Sequence, residues 1–302
     1  MKHIIKRGCF LTLMFMLLGC LSLYAADNDL ITRQITIQLE KAGTLPDRIG
    51  SSRKYTITNL KIIGEINGTD LRMIREMAGS NSTGNSTDGM LSVLDLSEAK
   101  IVEGGDCYYK DHYTSNDVIG SHAFSYCSGL TSLNLPAGIT KIGWHAFDGC
   151  SGLTSLTLPA GITSIGIGAF YGCRRLTSLT LPDGIIWIAP DAFNGCFGLT
   201  SIYVYAEKVP LIGGNAFAGV DVKKCTVYVP MGTRDDYRLS GFGDYFENIV
   251  EFEATGIDKT TTSTEVEEVA RYSVNGQRLS APTKGLNIVK YSDGSVKKVA
   301  VQ

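Results

Sequence analysis

Apolar residues in the middle of the chain recur with a 23-residue period. Three successive segments share the order Ala-Phe, Cys and Leu-Thr-Ser-Leu-x-Leu-Pro, at residues 121–136, 144–159 and 167–182. A fourth copy begins at Pro190, and a degenerate fifth begins at Ala216. A unit of this length cannot bury its own apolar face, so neighbouring units must stack into a solenoid. The pattern therefore predicts one coil for every copy of the repeat.

Within each unit, the alternation of apolar and polar residues predicts one parallel strand. The leucines of the Leu-x-x-Leu-x-Leu run face inward, while the residues between them face solvent. The Ala-Phe segment that follows is expected to form a single helical turn. A Leu-x-x-Leu-x-Leu core with a period in the twenties is the signature of a leucine-rich repeat. We therefore expect strands at 93–96, 132–135, 155–158, 178–181 and 201–204.

The segments on either side of the repeats are expected to cap the solenoid. Before them, Thr69-Asp70 should begin a helix whose buried face carries Leu71, Ile74 and Met77. After them, Asn275-Gly276 and Asp293-Gly294 are hairpin signals in a short tail. The chain is thus predicted to be an α/β leucine-rich-repeat solenoid, with N- and C-terminal caps and a small C-terminal all-β module. Its expected regions are a signal peptide at 1–26, an N-terminal cap region at 27–90, the solenoid at 91–220, a C-terminal cap at 221–253, a linker at 254–268 and the β module at 269–302.

The segment 1–26 has the composition of a secretory signal peptide. Lys2, Lys6 and Arg7 precede an apolar stretch that is too short for a stable membrane span. Two cleavage sites remain open. The run Leu-Leu-Gly-Cys ending at Cys20 resembles a bacterial lipobox, which would leave Cys20 acylated, whereas Leu23-Tyr24-Ala25 suits an ordinary signal peptidase. We favour ordinary cleavage, because the apolar run continues past Cys20.

Charge and short motifs exclude several classes of function. Removal of the signal peptide leaves 25 basic and 30 acidic residues, a net charge of −5. Nucleic-acid binding requires a concentrated basic face, so we expect no nucleic-acid partner. The runs typical of zinc sites, phosphate-binding loops, dinucleotide-binding turns and hydrolase nucleophiles are absent. We therefore predict no metal, no cofactor and no enzymatic activity.

The cysteines follow the repeat and are expected to fill its interior. Six remain in the mature chain, and four of them share one position of the repeat: Cys127, Cys150, Cys173 and Cys196. A residue type that recurs once per coil occupies the same slot each time, and cysteine packs as a small hydrophobic residue. We predict a ladder of buried free thiols in preference to disulfides or metal ligands.

Candidate binding residues are those that break the repeat. Sixteen additional residues between Ile101 and Ile119 form an insertion, which is either an adaptable binding loop or a loop that folds back to cover the convex side of the coils. We expect its removal to leave thermal stability nearly unchanged. His122 and His145 share one repeat position and are expected to stack one coil apart. Because stacking alone does not explain them, the candidate ligand contacts are Tyr108, Tyr109, His112 and Tyr113 in the insertion, Trp144 and Trp187 at turns, and Tyr203, Tyr205 and Tyr228 on late strands.

The run Ala-Phe-x-x-Cys-x-x-Leu-Thr-Ser-Leu-x-Leu-Pro, repeated with this period, resembles the BspA-like leucine-rich repeats of bacterial surface proteins. The resemblance covers residues 90 to 253, including Cys-Thr-Val-Tyr-Val-Pro from Cys225. It implies a non-catalytic, adhesin-like protein on the surface or outer membrane of a Gram-negative bacterium, or released from it. The ligand would be a host or bacterial macromolecule, either protein or glycan. The alternative is a glycan-binding accessory protein or an envelope structural protein.

The tail is similar to the C-terminal sorting modules of type IX secretion. The similarity rests on Tyr272, Gly276-Gln, Lys284-Gly-Leu-x-Ile-Val and a Lys298-Val pair. Association with a membrane is expected only through such a module or through a lipid on Cys20. We expect a monomer.

Overall fold

The computed structural model describes residues 30–252 and four strands between residues 268 and 301. The chain separates into two compact units, Met1–Ala254 and Thr255–Gln302. The candidate signal peptide, Cys20 and residues 254–267 of the expected linker lie outside the described residues.

The first unit begins with a cap of alternating strands and helices. Strand β1 (Ile35–Leu39) is followed by the short helix α1 (Leu45–Ile49), strand β2 (Asn59–Ile66) and helix α2 (Gly68–Met77). β1 and β2 pair in parallel. This parallel pairing starts the sheet that the coils continue.

Helix α2 begins slightly earlier than the sequence predicted. The Asn67 side chain accepts a hydrogen bond from the Thr69 amide at 3.1 Å, and the Asp70 carboxylate accepts one from the Asn67 amide at 2.9 Å. This reciprocal arrangement is a capping box, so Asn67 caps the helix instead of Thr69. The predicted apolar face is confirmed, because Leu71, Ile74 and Met77 are buried.

Most strands of the remaining first unit are two to five residues long. In chain order they are β3 (Val93–Asp95), β4 (Ala99–Ile101), β5 (Gly104–Tyr109), β6 (His112–Thr114), β7 (Val118–Ile119), β8 (Ser132–Asn134), β9 (Lys141–Ile142), β10 (Ser155–Thr157), β11 (Ser164–Ile165), β12 (Ser178–Leu181), β13 (Trp187–Ile188), β14 (Ser201–Val204), β15 (Leu211–Ile212), β16 (Thr226–Pro230) and β17 (Ile249–Phe252).

Apart from the antiparallel pair β5–β6, these strands form two parallel sheets that run along the coils. The main sheet has the order β1-β2-β3-β8 and continues as β10-β12-β14-β16-β17. The strand pairing is interrupted between β8 and β10. There the Thr154 amide donates to the Thr131 carbonyl at 3.2 Å, so the two coils remain adjacent. The predicted strands at 93–96, 132–135, 155–158, 178–181 and 201–204 are confirmed, with equivalent residues of successive coils side by side. The solenoid is therefore built as the 23-residue period requires.

The second sheet was not predicted. Its order is β15-β13-β11-β9-β7, and all its strands have two residues. Each of these strands contributes one inward side chain, such as Ile142, Ile165 or Ile188. Two residues are too few to show an alternation of period two, so the sequence pattern did not reveal them.

The Ala-Phe segments form consecutive tight turns, and the predicted helical turn is wrong. In one coil, the amides of Ala169, Tyr171 and Cys173 bond to carbonyls three residues earlier. Gly168 and Gly172 have φ angles of 58° and 69°, which lie in the left-handed region. Because this conformation interrupts a right-handed helix twice per coil, the described helices are confined to the two caps.

The core of the coils consists of stacked identical side chains. Five buried phenylalanine rings form a ladder with centroids 4.9 to 5.3 Å apart: Phe124, Phe147, Phe170, Phe193 and Phe217. The four repeat cysteines are buried and free. The Cys173 thiol donates to the Phe147 carbonyl at 3.2 Å, and burial raises the pKa of the Cys127 thiol to about 11. The ladder thus consists of buried free thiols, as the period predicted.

Replacing Cys173 with serine is expected to lower the free energy of unfolding by about 1–3 kcal/mol, because a more polar and smaller group then occupies a buried slot. Urea unfolding measures this change. Titration of the unfolded, unreduced mature chain should also find reactive thiols at Cys107, Cys127, Cys150, Cys173, Cys196 and Cys225. A disulfide between any two ladder cysteines would contradict the account.

Two short helices close the C-terminal end of the first unit. Helix α3 (Arg234–Arg238) and helix α4 (Gly241–Tyr245) precede β17. Phe242 and Phe246 place their ring centroids 5.8 and 5.1 Å from that of Phe217, the last ring of the phenylalanine ladder. The cap therefore covers the apolar end that an open solenoid would expose.

The second unit is described by its strands alone. They are β18 (Glu268–Ser273), β19 (Arg278–Leu279), β20 (Gly285–Tyr291) and β21 (Val296–Val301). They pair antiparallel in the order β19-β18-β20-β21. In the part of the chain that the structure describes, no helix combines the length and apolar character needed to cross a bilayer.

Candidate binding surface

The outer face of the main sheet changes character along the solenoid. In the middle coils its outward positions carry small polar residues, such as Thr157 and Thr180. In the next two strands the same register position is occupied by Tyr203 and Tyr228. The two rings stack in parallel with centroids 4.6 Å apart and an interplanar angle of 8°. An aromatic group thus begins where the polar face ends.

Two further side chains complete this aromatic cluster. The Phe252 ring meets Tyr203 and Tyr205 edge to face, with centroid distances of 6.1 and 5.2 Å. Val250, beside Tyr228 in the register, is exposed. We call Tyr203, Tyr205, Tyr228, Val250 and Phe252 the tyrosine cluster. Sequence analysis brought its three tyrosines together but missed Val250 and Phe252, although the alternation in Ile249-Val-Glu-Phe252 could have indicated one more strand.

The insertion is a folded hairpin of β5 and β6, which corrects the expectation of an adaptable loop. Tyr108 is 1% exposed, and its hydroxyl donates to the Ser121 carbonyl at 2.8 Å. Tyr109 is 6% exposed, and its ring stacks on that of His122 with centroids 4.9 Å apart. Neither tyrosine presents its ring to a ligand, because both are needed to pack the hairpin on the first coil.

Deletion of residues 105–115 would remove both buried tyrosines. We therefore no longer expect this deletion to leave thermal stability nearly unchanged. His112 is half-buried. Its ring stacks on that of Tyr109 with centroids 6.2 Å apart and lies tilted by 40° at 5.3 Å from that of His122. Only Tyr113 among the four aromatic candidates of the insertion is exposed.

The two tryptophans are exposed but lie away from the main sheet. Trp144 is 61% exposed and neighbours Ile167 in the next coil, where the His145 amide donates to the Ile167 carbonyl. Trp187 lies on the second sheet between Ser164 and Leu211. The structure therefore divides the candidates between two faces of the coil. Exposed aromatic residues that the sequence analysis missed lie at the turns: Tyr126, Tyr171 and Phe197.

The two repeat histidines of the described residues lie one coil apart. His122 and His145 stack with ring centroids 5.3 Å apart and an interplanar angle of 9°, as predicted from their shared position. In the described part of the chain, no three His, Cys, Asp or Glu side chains converge closely enough to hold a metal ion. A cavity of about 650 Å³ in the N-terminal cap is lined by Arg33, Arg53 and five other residues, none of them acidic or histidine.

Comparisons with known proteins agree with the repeat. A family described as "BspA type Leucine rich repeat region" matches residues 117–235 in six copies. No curated protein matches the chain. Among solved structures, the chain is similar to a leucine-rich-repeat protein of T. pallidum, with 19% identity, 44% of this chain and 80% of that chain covered, and a TM-score of 0.29.

Two further solved structures are similar. A leucine-rich cell surface protein of Faecalibacterium prausnitzii shares 22% identity over 87% of this chain and 52% of its own length, with a TM-score of 0.38. A leucine-rich repeat protein of Bacteroides ovatus shares 19% identity over 73% of this chain and 64% of its own length, with a TM-score of 0.35. Residues 117–235 of this chain therefore match a BspA-type leucine-rich-repeat region.

Proposed function

We propose that this protein is an exported, non-catalytic binding protein whose tyrosine cluster contacts a protein or glycan ligand. The observation that carries the proposal is the parallel pair of Tyr203 and Tyr228 at the end of a Ser/Thr-rich sheet face. Tyrosine provides a large contact area and a polar hydroxyl at a low cost in side-chain entropy. Clustered aromatic residues are enriched at binding sites for this reason.

The fold does not require aromatic residues at these positions. The register places Tyr203 beside Thr180, and Thr180 beside Thr157, so threonine builds the same strand in the preceding coils. The inward neighbours Ile202 and Val227 supply the burial that stabilises these strands. The stacking of equivalent coils does not call for these tyrosines, and contact with a ligand would account for them.

Export and location at the cell surface belong to the proposal. The basic and apolar order of residues 1–26 supports export, and BspA-type repeats support an adhesin-like role. The chain would be held at the membrane by a lipid on Cys20 or delivered by its C-terminal module, and it would act as a monomer.

Changing Tyr203 and Tyr228 to serine together is expected to weaken ligand binding by about tenfold or more, since two contact residues of a cluster are removed. Ligands are first found with the mature chain on arrays of extracellular-matrix proteins, bacterial surface proteins and glycans. Affinity for the hits is then measured for the wild type and the variant.

The matched control changes Tyr126 and Tyr171 to serine, which removes two exposed tyrosines from the turn side of the coils. This control should bind like the wild type. Equal affinity of the Tyr203/Tyr228 variant and the wild type would place the ligand on another surface.

The same arrays separate the proposal from its alternative. The uncharged, Ser/Thr-rich outer face of the main sheet beside Tyr203 also suits a neutral sugar. Such a sugar would hydrogen-bond to the hydroxyls and pack on a tyrosine ring. Binding restricted to glycans would indicate a glycan-binding accessory protein. No binding on any array would indicate an envelope structural role.

A further inference from the structure

The hairpin β5–β6 meets the first coil through neighbouring aromatic and imidazole rings, and the amides of Asp106 and Lys110 also bond it to Thr69 and Ser82. Tyr109 lies 4.9 Å from His122 between ring centroids, and His122 lies 5.3 Å from both His112 and His145. We call His112, His122 and His145 the histidine stack. One histidine comes from the hairpin and two come from successive coils, so the stack joins three segments of the chain.

Positive charge surrounds this stack. The Arg75 side chain is fully buried, and its guanidinium donates to the carbonyls of His122 and Ser125 at 2.6 and 3.2 Å. The guanidinium carbon lies 4.7 Å from the Tyr109 ring centroid, and the Lys110 ammonium lies 5.2 Å from it. Two cations and three imidazoles therefore meet where the hairpin docks.

We propose that the hairpin is an acid-sensitive clasp, docked on the first two coils at neutral pH and released when His122 takes up a proton. Neutral His122 lies beside the Arg75 and Lys110 cations without charge repulsion. A proton on His122 adds a charge between Arg75, Lys110, His112 and His145, and like charges at these distances repel.

The electrostatics of His122 agree with this arrangement. Burial, and then the charges of His145, His112, Arg75 and Lys110, lower its pKa from 6.5 to about 4. The carboxylate beside the stack is Asp148, whose Oδ2 lies 3.3 Å from His145 Nδ1. Burial raises the pKa of Asp148, and His145 partly offsets that rise. Asp148 belongs to the coil and stays with His145 when the hairpin leaves, so it does not hold the hairpin.

Hairpin docking is expected to weaken as the pH falls. Release removes His112, Lys110 and part of the burial from His122, whereas His145 and Arg75 stay beside it, so the pKa of released His122 lies between about 4 and 6.5. Docking is therefore at full strength above pH 6.5 and weakens as the pH falls through this window. Because His122 is partly exposed, solvent reduces the effect below its full size.

The placement of histidine within the repeat supports a role in docking. The same slot has a left-handed φ in every coil and is occupied by Gly168, Asp191 and Asn215 further along. Histidine is therefore not needed for the backbone, yet it occupies the slot in the two coils of the stack. A Cβ on Gly168 would lie 2.6 Å from the His145 ring, so glycine there leaves room for the last imidazole.

Hydrogen exchange of the full chain between pH 7.5 and 5 tests the clasp, after correction for the intrinsic pH dependence of exchange. The opening equilibrium of residues 104–114 is expected to rise by about threefold or more at the lower pH. Exchange of strands β10, β12 and β14 should not change. Wild-type hairpin exchange that is independent of pH would overturn the proposal.

The variant His122→Asn places in the slot the residue that Asn215 supplies in a later coil. Its hairpin should stay docked at pH 7.5 and lose most of the pH response. The control Asn215→His adds an imidazole in the same slot of a later coil and should keep the wild-type hairpin response. An unchanged pH response in His122→Asn would contradict the assignment.

If His122→Asn releases the hairpin already at pH 7.5, the variant no longer tests the pH response. NMR titration of the imidazoles in the wild type then tests the clasp through the pKa of His122. A His122 pKa near 4 in the docked protein supports the clasp. A value at or above its ordinary 6.5 overturns it.

Discussion

Replacing Phe170 with alanine is expected to lower the free energy of unfolding by about 3–5 kcal/mol. The ring is fully buried between those of Phe147 and Phe193, at centroid distances of 4.9 and 5.1 Å. The coil spacing is fixed by backbone hydrogen bonds on both sides, so the neighbours cannot move in to fill the space. Urea unfolding followed by circular dichroism measures the loss.

The matched control for this change is Phe197→Ala. Phe197 lies in the next coil and is 59% exposed. Its loss should change the free energy of unfolding by no more than about 0.5 kcal/mol, as for other exposed positions. Similar effects of the two changes would show that the phenylalanine ladder does not hold the coils together.

Replacing Arg75 with methionine is expected to cost about 3–5 kcal/mol of unfolding free energy, because each buried carbonyl left without a donor costs roughly 1–3 kcal/mol. The guanidinium donates to the carbonyls of Ala123 and Ser125, which would lose this donor, and to that of His122, which also accepts from the Ser125 amide. A buried charge can often be replaced by an apolar side chain without loss. Here the acceptors of the Arg75 guanidinium are main-chain carbonyl oxygens, which stay buried when the side chain is replaced. The variant therefore bears the cost of buried carbonyls without a hydrogen bond.

Arg72→Met provides the control, because Arg72 is one turn earlier on α2 and its side chain is exposed. Its unfolding free energy should stay within about 0.5 kcal/mol of that of the wild type. The Arg75→Met variant should also show faster hydrogen exchange in residues 104–114. Wild-type stability of Arg75→Met would mean that the carbonyls find other donors.

The sequence predicted the main-sheet strands and the interior ladders because both repeat with the coil. A residue that returns once in every repeat must fill the same slot, so Cys150 and Phe147 could be placed from spacing alone. The turn conformation could not be placed in this way. It depends on two left-handed backbone positions per coil, which His122 and Tyr126 occupy as non-glycine residues with φ angles of 58° and 61°.

Candidate residues could be placed from the sequence where strand register brings them together. They could not be placed where their surroundings depend on tertiary packing. Tyr203 and Tyr228 occupy one register position of adjacent strands, so their contact followed from the repeat. Tyr108 and Tyr109 lie in an insertion, where an aromatic residue has the same local pattern whether it is exposed or buried. Their burial depends on Arg75 and Ser121, which no repeat spacing connects to them.

The central claim is that repeated residues build the solenoid and that the tyrosine cluster recognises the ligand. Its most direct test is a hydrogen-exchange footprint of the mature chain with and without a ligand found on the arrays. The account predicts slower exchange in β14, β16 and β17, with the turns around Trp144 and Phe197 unchanged. Protection confined to those turns, to the second sheet or to the N-terminal cap would contradict it.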